Sequence, residues 1–213
     1  MLAPIYHAGQ DVAAHLPRAS DRALARIDLS GRPIRPISRK SFDEMAEAFP
    51  YYKGRWGYTS VALAEAAAII RDHDVRTALE LGAPVRPILE GAHVMDIKAR
   101  PELDPSVDIT VHNAIRTPWP FEDKAFDLFV ALQVFEHLKD RQPDVFREVR
   151  RIARHAIISL PIDWHMADTN DAHHMLPESR VLSWFEPVIP TQIIEGNGGP
   201  KRRVVYVFED LAP

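Results

Sequence analysis

The chain has 213 residues and not one cysteine. Disulfides, thiolate metal sites and a cysteine nucleophile are therefore excluded. A net charge of −4 gives no general attraction to nucleic acid or an anionic membrane, although a local patch still could. Long hydrophobic runs are missing too. Val61–Ile70 is apolar, but it is short and broken by Glu65, so no bilayer span is expected. The first residues show no basic segment followed by an apolar stretch, and a signal peptide is not expected. No internal repeat is visible. What remains is ordinary globular make-up, 46% hydrophobic and 26% charged, with length for one large domain and a cytoplasmic location as the default.

The rest of the chain is organised around Thr77–Asp96. The apolar run Thr77-Ala78-Leu79-Glu80-Leu81 stops at Gly82, and so short a run bounded by Gly and Pro predicts a buried parallel strand. A second run, Val94-Met95, ends on Asp96. Ligands of doubly wound sheets bind beyond the carboxyl ends of the strands. Gly82 would let a ligand approach the backbone there, and Asp96 stands where an acid accepts hydrogen bonds from ribose hydroxyls. The spacing points to a nucleoside-bearing cofactor. A dinucleotide needs further glycines where this chain has Pro84 and Arg86, and Pro84 also removes a donor. S-adenosylmethionine has no pyrophosphate and needs fewer glycines. A strand and turn of an unrelated α/β protein is the plainer alternative for this stretch alone.

Further on stand Pro120-Phe121-Glu122-Asp123, Phe126-Asp127-Leu128-Phe129-Val130 and Glu136-His137-Leu138. With these, residues 108–140 resemble the core of class I S-adenosylmethionine-dependent methyltransferases. The resemblance runs from about Arg76 to the C-terminus. It implies an α/β, Rossmann-like fold: a seven-stranded, mostly parallel sheet, helices on both faces and a C-terminal antiparallel hairpin. It also implies S-adenosyl-L-methionine as cofactor. On this resemblance Glu80 positions the loop or meets the amino group of the methionine moiety, beside Gly82, and Asp96 meets the ribose. Asn113-Ala114 stand where the family commonly has Asp-Ala, the acid meeting the adenine amino group. The amide of Asn113 can accept from that group and donate to a ring nitrogen. Leu132 and Gln133 would end the fourth strand beside the transferred methyl, unless Gln133 is a loop residue contacting backbone. Glu136 and His137 read as framework, because neighbours on a strand or helix face different ways.

Residues 1–58 are expected to form a loop-rich arm before a methyltransferase-like domain over 59–213. Pro4, Pro17, Pro33 and Pro36 punctuate the arm, with room for a short helix at Ser20–Ile27. It could be a lid, a homodimer contact or a leader. Ser41-Phe42-Asp43-Glu44 predicts a capping box opening a helix to about Phe49. Trp56 and Tyr58 lie in an aromatic stretch around Gly54 and Gly57. Either they cap the sheet, or they face the sulfonium cation or the substrate. Thr59 or Ser60 would cap the next helix, to about Asp72. Between Leu81 and His93, Pro84 and Pro87 limit any helix to a turn or two, its N-terminus offered to the methionine carboxylate. Further strands are expected at Ile109–Val111, Phe126–Leu132 and His155–Pro161. Helices are expected near 143–154 and 177–185, then a hairpin turning at Asn197-Gly198-Gly199-Pro200.

The loop Ile162–Met175 concentrates Asp163, Trp164, His165, Asp168, Asn170, Asp171, His173 and His174 on the side where this fold shapes its acceptor site. Imidazole suits proton removal near neutral pH, which makes His173 the first candidate base, with His174 and then His165 behind it. The plainer alternative is that these histidines only stabilise the loop. Carboxylates and imidazoles could also hold a metal, but their spacing carries no ordered metal signature, so no metal site is expected. The expected function is methyl transfer from S-adenosylmethionine to an oxygen or nitrogen of a small molecule, of natural-product or sugar type. No nucleic-acid or membrane partner is expected. A non-catalytic member of the fold and a dinucleotide-dependent oxidoreductase are the rivals.

Overall fold

The computed structural model describes residues 32–101, 103–196 and 201–212. The first part of the arm, with the helix and homodimer contact expected of it, and the turn at 197–200 lie outside the described residues. In chain order come β1 (Arg35–Pro36), α1 (Arg39–Ala48), α2 (Trp56–Asp72), β2 (Ala78–Leu81), β3 (Leu89–Glu90) and β4 (His93–Asp96). β5 (Ile109–Val111), β6 (Phe126–Leu132), α3 (Gln142–Ile152) and β7 (Ala153–Pro161) follow. The chain then forms α4 (Glu178–Phe185), β8 (Gln192–Gly196) and β9 (Arg203–Phe208). Seven of the strands form one sheet in the order β5-β4-β2-β6-β7-β9-β8, while β1 and β3 pair separately. The pairings are parallel from β5 to β7 and antiparallel at β9 and β8.

Alternation along each strand explains why the sheet is covered on both sides. Leu128, Val130, Ile157, Val205 and Val207 join one core cluster with Ala62, Ala66 and Ile69 of α2. Their neighbours Phe129, Ile158, Val204, Tyr206 and Phe208 join the other with Val145, Phe146 and Val149 of α3 and Val181 and Phe185 of α4. The Asp127 side chain, just inside β6, accepts from the Arg76 and Thr77 amides at 2.9 and 3.0 Å and so ties the foot of β2 to β6. Phe42, Met45 and Tyr52 belong to the same cluster as α2, which joins residues from either side of the expected boundary at 58.

Several expected boundaries move. Ser38, not Ser41, caps α1, its hydroxyl accepting from the Ser41 amide at 3.0 Å. α2 begins at Trp56 without a side-chain cap, so Trp56 and Tyr58 sit in its first turn instead of in a loop. Thr59 instead donates its hydroxyl back to the Arg55 carbonyl at 2.8 Å. Between β2 and β4 there is no helix. With Pro84 and Pro87 in this stretch, even the turn or two that was expected does not form, and no helix N-terminus is available for a methionine carboxylate. Loops also replace helices between β4 and β5 and between β5 and β6, among the described residues. Ala83, Val94 and Leu103 form a small cluster of their own, while Trp119 and Phe121 join the α3–α4 side of the sheet. No described helix is long and apolar enough to cross a membrane.

Candidate active site

The parallel strands deliver their carboxyl ends to one edge of the sheet. At the end of β2, Glu80 is buried and its Oε2 accepts from the Ile88 amide at 2.7 Å. The side chain thus pins the helix-free loop against the strand. Burial pushes its carboxyl up to about 8, against the pull of the Ile88 and Leu89 amides. Gly82 follows at φ +79°, and a Cβ there would lie 2.9 Å from Val134 Cγ2. Only glycine permits both that backbone and that approach.

At the end of β4 the Asp96 carboxylate is buried and takes Arg100 Nε at 2.8 Å and the Lys98 amide at 3.3 Å. Past β5, Asn113 Oδ1 accepts weakly from the Ile115 amide at 3.3 Å, and the buried Ala114 gives its carbonyl to Trp119 Nε1 at 2.9 Å. Leu132 closes β6 and lines a cavity of about 30 Å³ with Phe42, Tyr52, Tyr58, Glu80, Gly82 and Ile88.

Gln133 is the strained residue of this edge, buried at φ +57°. A non-glycine residue held there costs energy that surrounding contacts must offset, and such strain gathers at functional sites. Its Nε2 donates to Ser159 Oγ at 3.2 Å, and its Oε1 accepts from Arg203 Nε at 3.3 Å. Arg203 lies between two rings, 4.9 Å from the Tyr58 centroid and 4.5 Å from that of Trp164. Arg55 donates to Tyr58 Oη at 3.1 Å. Trp56 lies to one side, packed on Phe42 at 5.1 Å with Arg39 over it at 4.7 Å. The structure therefore gives Tyr58 a place on the site wall and Trp56 a place in the packing behind it.

The loop after β7 brings His173 to the same edge. Its ring stacks on Trp164, centroids 5.5 Å apart, and meets His137 edge-on at 4.9 Å. Nδ1 lies 2.5 Å from Asp171 Oδ1, so its proton belongs to that bond and Nε2 carries the lone pair. Nε2 in turn stands 3.6 Å from Glu136 Oε1. His174 is spent on the loop itself, Nδ1 lying 3.2 Å from the Met166 amide and 3.1 Å from its carbonyl. His165 is exposed, its nearest ring partner His174 at 6.3 Å. Of the three histidines only His173 points its free nitrogen at another buried group. Sequence reasoning gave no role to Arg55, Arg100 or Arg203: Arg203 reaches Gln133 from a distant segment, while Arg55 and Arg100 bond residues only three or four positions away and carry no motif of their own. It set Glu136 and His137 aside on the geometry of strands and helices, whereas both sit in a 3-10 turn, Phe135–His137.

Comparison with known proteins agrees with this geometry. The family model described as a methyltransferase domain matches residues 89–156, from β3 through the first part of β7. No curated protein matches the sequence. Among solved structures, the N-methyltransferase NodS from Bradyrhizobium japonicum WM9, in complex with S-adenosyl-l-homocysteine, superposes with a TM-score of 0.54 at 13% identity. That alignment covers 80% of this chain and 97% of NodS. A second NodS structure gives 0.50 at 14% identity, covering 71% and 94%. The chain has the class I methyltransferase fold. In that fold, the sheet order found here sets the ends of β2, β4, β5 and β6 side by side, and the methyltransferase-domain match spans the last three.

Proposed function

We propose that the chain is an enzyme that transfers a methyl group from S-adenosyl-L-methionine to an oxygen or nitrogen of a small molecule. One observation carries the reading: Glu80, Gly82, Asp96, Asn113 and Gln133 stand at the carboxyl ends of four adjacent parallel strands. The donor set suits this cofactor. A buried acid stands where ribose hydroxyls need an acceptor, an amide where adenine needs both donor and acceptor, and the bare Gly82 where a Cβ would meet Val134. The N-methyltransferase of the same fold, solved with S-adenosyl-l-homocysteine, supports the choice of cofactor. Pro84 and Arg86 stand against a dinucleotide, whose pyrophosphate needs bare backbone.

When bound, S-adenosylmethionine supplies a methyl group already activated on a sulfonium centre. The chain then has to orient, exclude water and move one proton. Asp96 would take the ribose hydroxyls, Asn113 the adenine edge, and Glu80 hold the loop that borders the methionine end. Tyr58, Arg203 and Trp164 wall the acceptor side beside Gln133. His173, held by Asp171 with Nε2 3.6 Å from Glu136 Oε1, is the imidazole that would take the acceptor's proton when no ion is bound there. Replacement by alanine should lower kcat by about 10²–10⁴ and leave cofactor affinity unchanged. Full activity in the His173→Ala, His174→Ala double variant would show that proton removal lies elsewhere. Calorimetry with S-adenosylmethionine, S-adenosylhomocysteine and nicotinamide dinucleotides tests the cofactor. Dinucleotide binding with none of S-adenosylmethionine would end this reading, and binding of neither would favour a non-catalytic member of the fold.

A further inference from the structure

Glu136 is the most exposed problem in the electrostatics of this protein, although its side chain is 0% exposed to solvent. Neither carboxylate oxygen accepts a hydrogen bond from another residue. Arg55 and Arg203 are the cations nearest in effect. Both arginines give their described hydrogen bonds elsewhere, Arg55 to Tyr58 and Tyr51 and Arg203 to Gln133. A buried carboxylate without donors is uncommon and calls for a partner of another kind.

The group it faces sharpens the point. With the Nδ1 proton given to Asp171, His173 presents a lone pair to Glu136 Oε1 at 3.6 Å. Two acceptors facing each other across that gap repel unless a proton or a cation lies between them. The gap is too long for a hydrogen bond. It is near the ~3.4 Å that separates two ligand atoms sharing one tetrahedral ion at bonds of about 2.1 Å. His137 supplies a third atom, and one ligand atom from each of the three residues lies within 4.8 Å of the others. A carboxylate that orients a histidine through its far nitrogen is the usual support of a metal-binding imidazole. Asp171 occupies that place here.

We propose that Glu136, His137 and His173 bind one divalent transition-metal ion, with Asp171 holding His173 in the ligating tautomer. Two imidazoles and one carboxylate suit zinc, manganese, iron or cobalt better than magnesium, which prefers oxygen. Three protein ligands leave positions open toward the neighbouring cavity of about 210 Å³, lined in part by Glu136, Asp171 and Arg180. The role of the ion, though not its binding, rests on the methyl-transfer reading. An acceptor hydroxyl oxygen on an open position would lose its proton to water more readily. The oxygen's electron pair would then form the bond to the methyl carbon as the carbon–sulfur pair leaves with sulfur. His173 then acts as ligand, the ion taking over the task of a base.

The test begins with the full chain stripped by a chelator and titrated calorimetrically with Zn²⁺, Mn²⁺ and Mg²⁺. One equivalent of Zn²⁺ or Mn²⁺ is expected to bind more tightly than Mg²⁺. Glu136→Gln, nearly isosteric and free of the buried charge, and His173→Ala should each abolish that equivalent. Asp171→Asn should weaken it about 10–100-fold, the usual loss when an orienting partner is removed. His73→Ala tests the other three-residue group among the described residues, His73, His155 and Asp210, and should change nothing. A missing equivalent, or one that survives Glu136→Gln with circular dichroism unchanged and disappears in His73→Ala, overturns the proposal. S-adenosylhomocysteine titrated into the same preparation reports on the cofactor reading separately, so either can fail alone.

Discussion

At the scale of single residues, the site is a set of charges kept out of water for a purpose. Asp96 pairs with Arg100 at 2.8 Å, and the ribose reading depends on its acceptor oxygens. Asp96→Asn, which retains shape and one acceptor, should weaken S-adenosylhomocysteine binding by about 1.5–3 kcal/mol in calorimetry, the range for hydrogen bonds to charged groups. Unchanged affinity in the folded variant would remove Asp96 from the site. Glu80 behaves differently, because burial raises its carboxyl from 4.5 to about 8. Between those values the folded chain keeps a proton that the unfolded chain gives up. Its contribution to stability is therefore complete below 4.5 and is lost as pH rises toward 8. Glu80→Gln should flatten the fall in urea stability between pH 5 and 8, by up to about 1.4 kcal/mol per pH unit. Identical pH profiles for variant and parent would show that the buried carboxyl is ionised throughout.

At the scale of elements, strand and helix positions were legible because burial enforces a period. Phe126–Leu132 is apolar almost throughout and became a strand with those bounds. The Val145, Phe146, Val149, Ile152 spacing became one face of α3. Starts of helices were harder to read. Ser38 and Ser41 stand three residues apart at the same boundary, and only the fold reveals which hydroxyl meets an amide. Candidate residues such as Gly82 and Asp96 could be named from their places at strand ends, whereas the Arg203–Trp164–His173 stack joins the start of β9 to the loop after β7, which no local pattern connects. Gly82 is a test of the β2 turn. Gly82→Ala should destabilise by about 1–2 kcal/mol from its positive φ alone, and by more from the clash with Val134. Adding Val134→Ala should recover the second part and not the first, a coupling that a double-mutant cycle in urea would read. Additive effects would mean that Val134 yields freely.

At the scale of the whole molecule, the cavity at the end of β2 is nearly closed. Its volume of about 30 Å³ holds roughly one water, so on the proposed reading the cofactor would have to displace protein to enter. The segment from the 3-10 turn Pro50–Tyr52 to Tyr58 is what covers it, anchored by rings and by Arg55. Amide hydrogen exchange in residues 49–60 should change on adding S-adenosylhomocysteine, while β7 and β9 stay as they are. Uniform exchange would point to a different entrance. The helix-free crossovers have a further consequence, for the order in which the sheet assembles. Leu79 pairs with His93 and Val94 with Ile109, partners close in sequence for a parallel sheet. Ala78 pairs with Leu128 across a far longer stretch of chain. Closing a short loop costs less entropy than closing a long one, and local contacts form sooner. β2, β4 and β5 should thus zip together before β6 joins them, so conservative truncations at Leu79 and Val94 should slow folding more than those at Phe129 and Ile157, on strands that pair across longer stretches of chain. The half of the sheet that lost its helices becomes its nucleus.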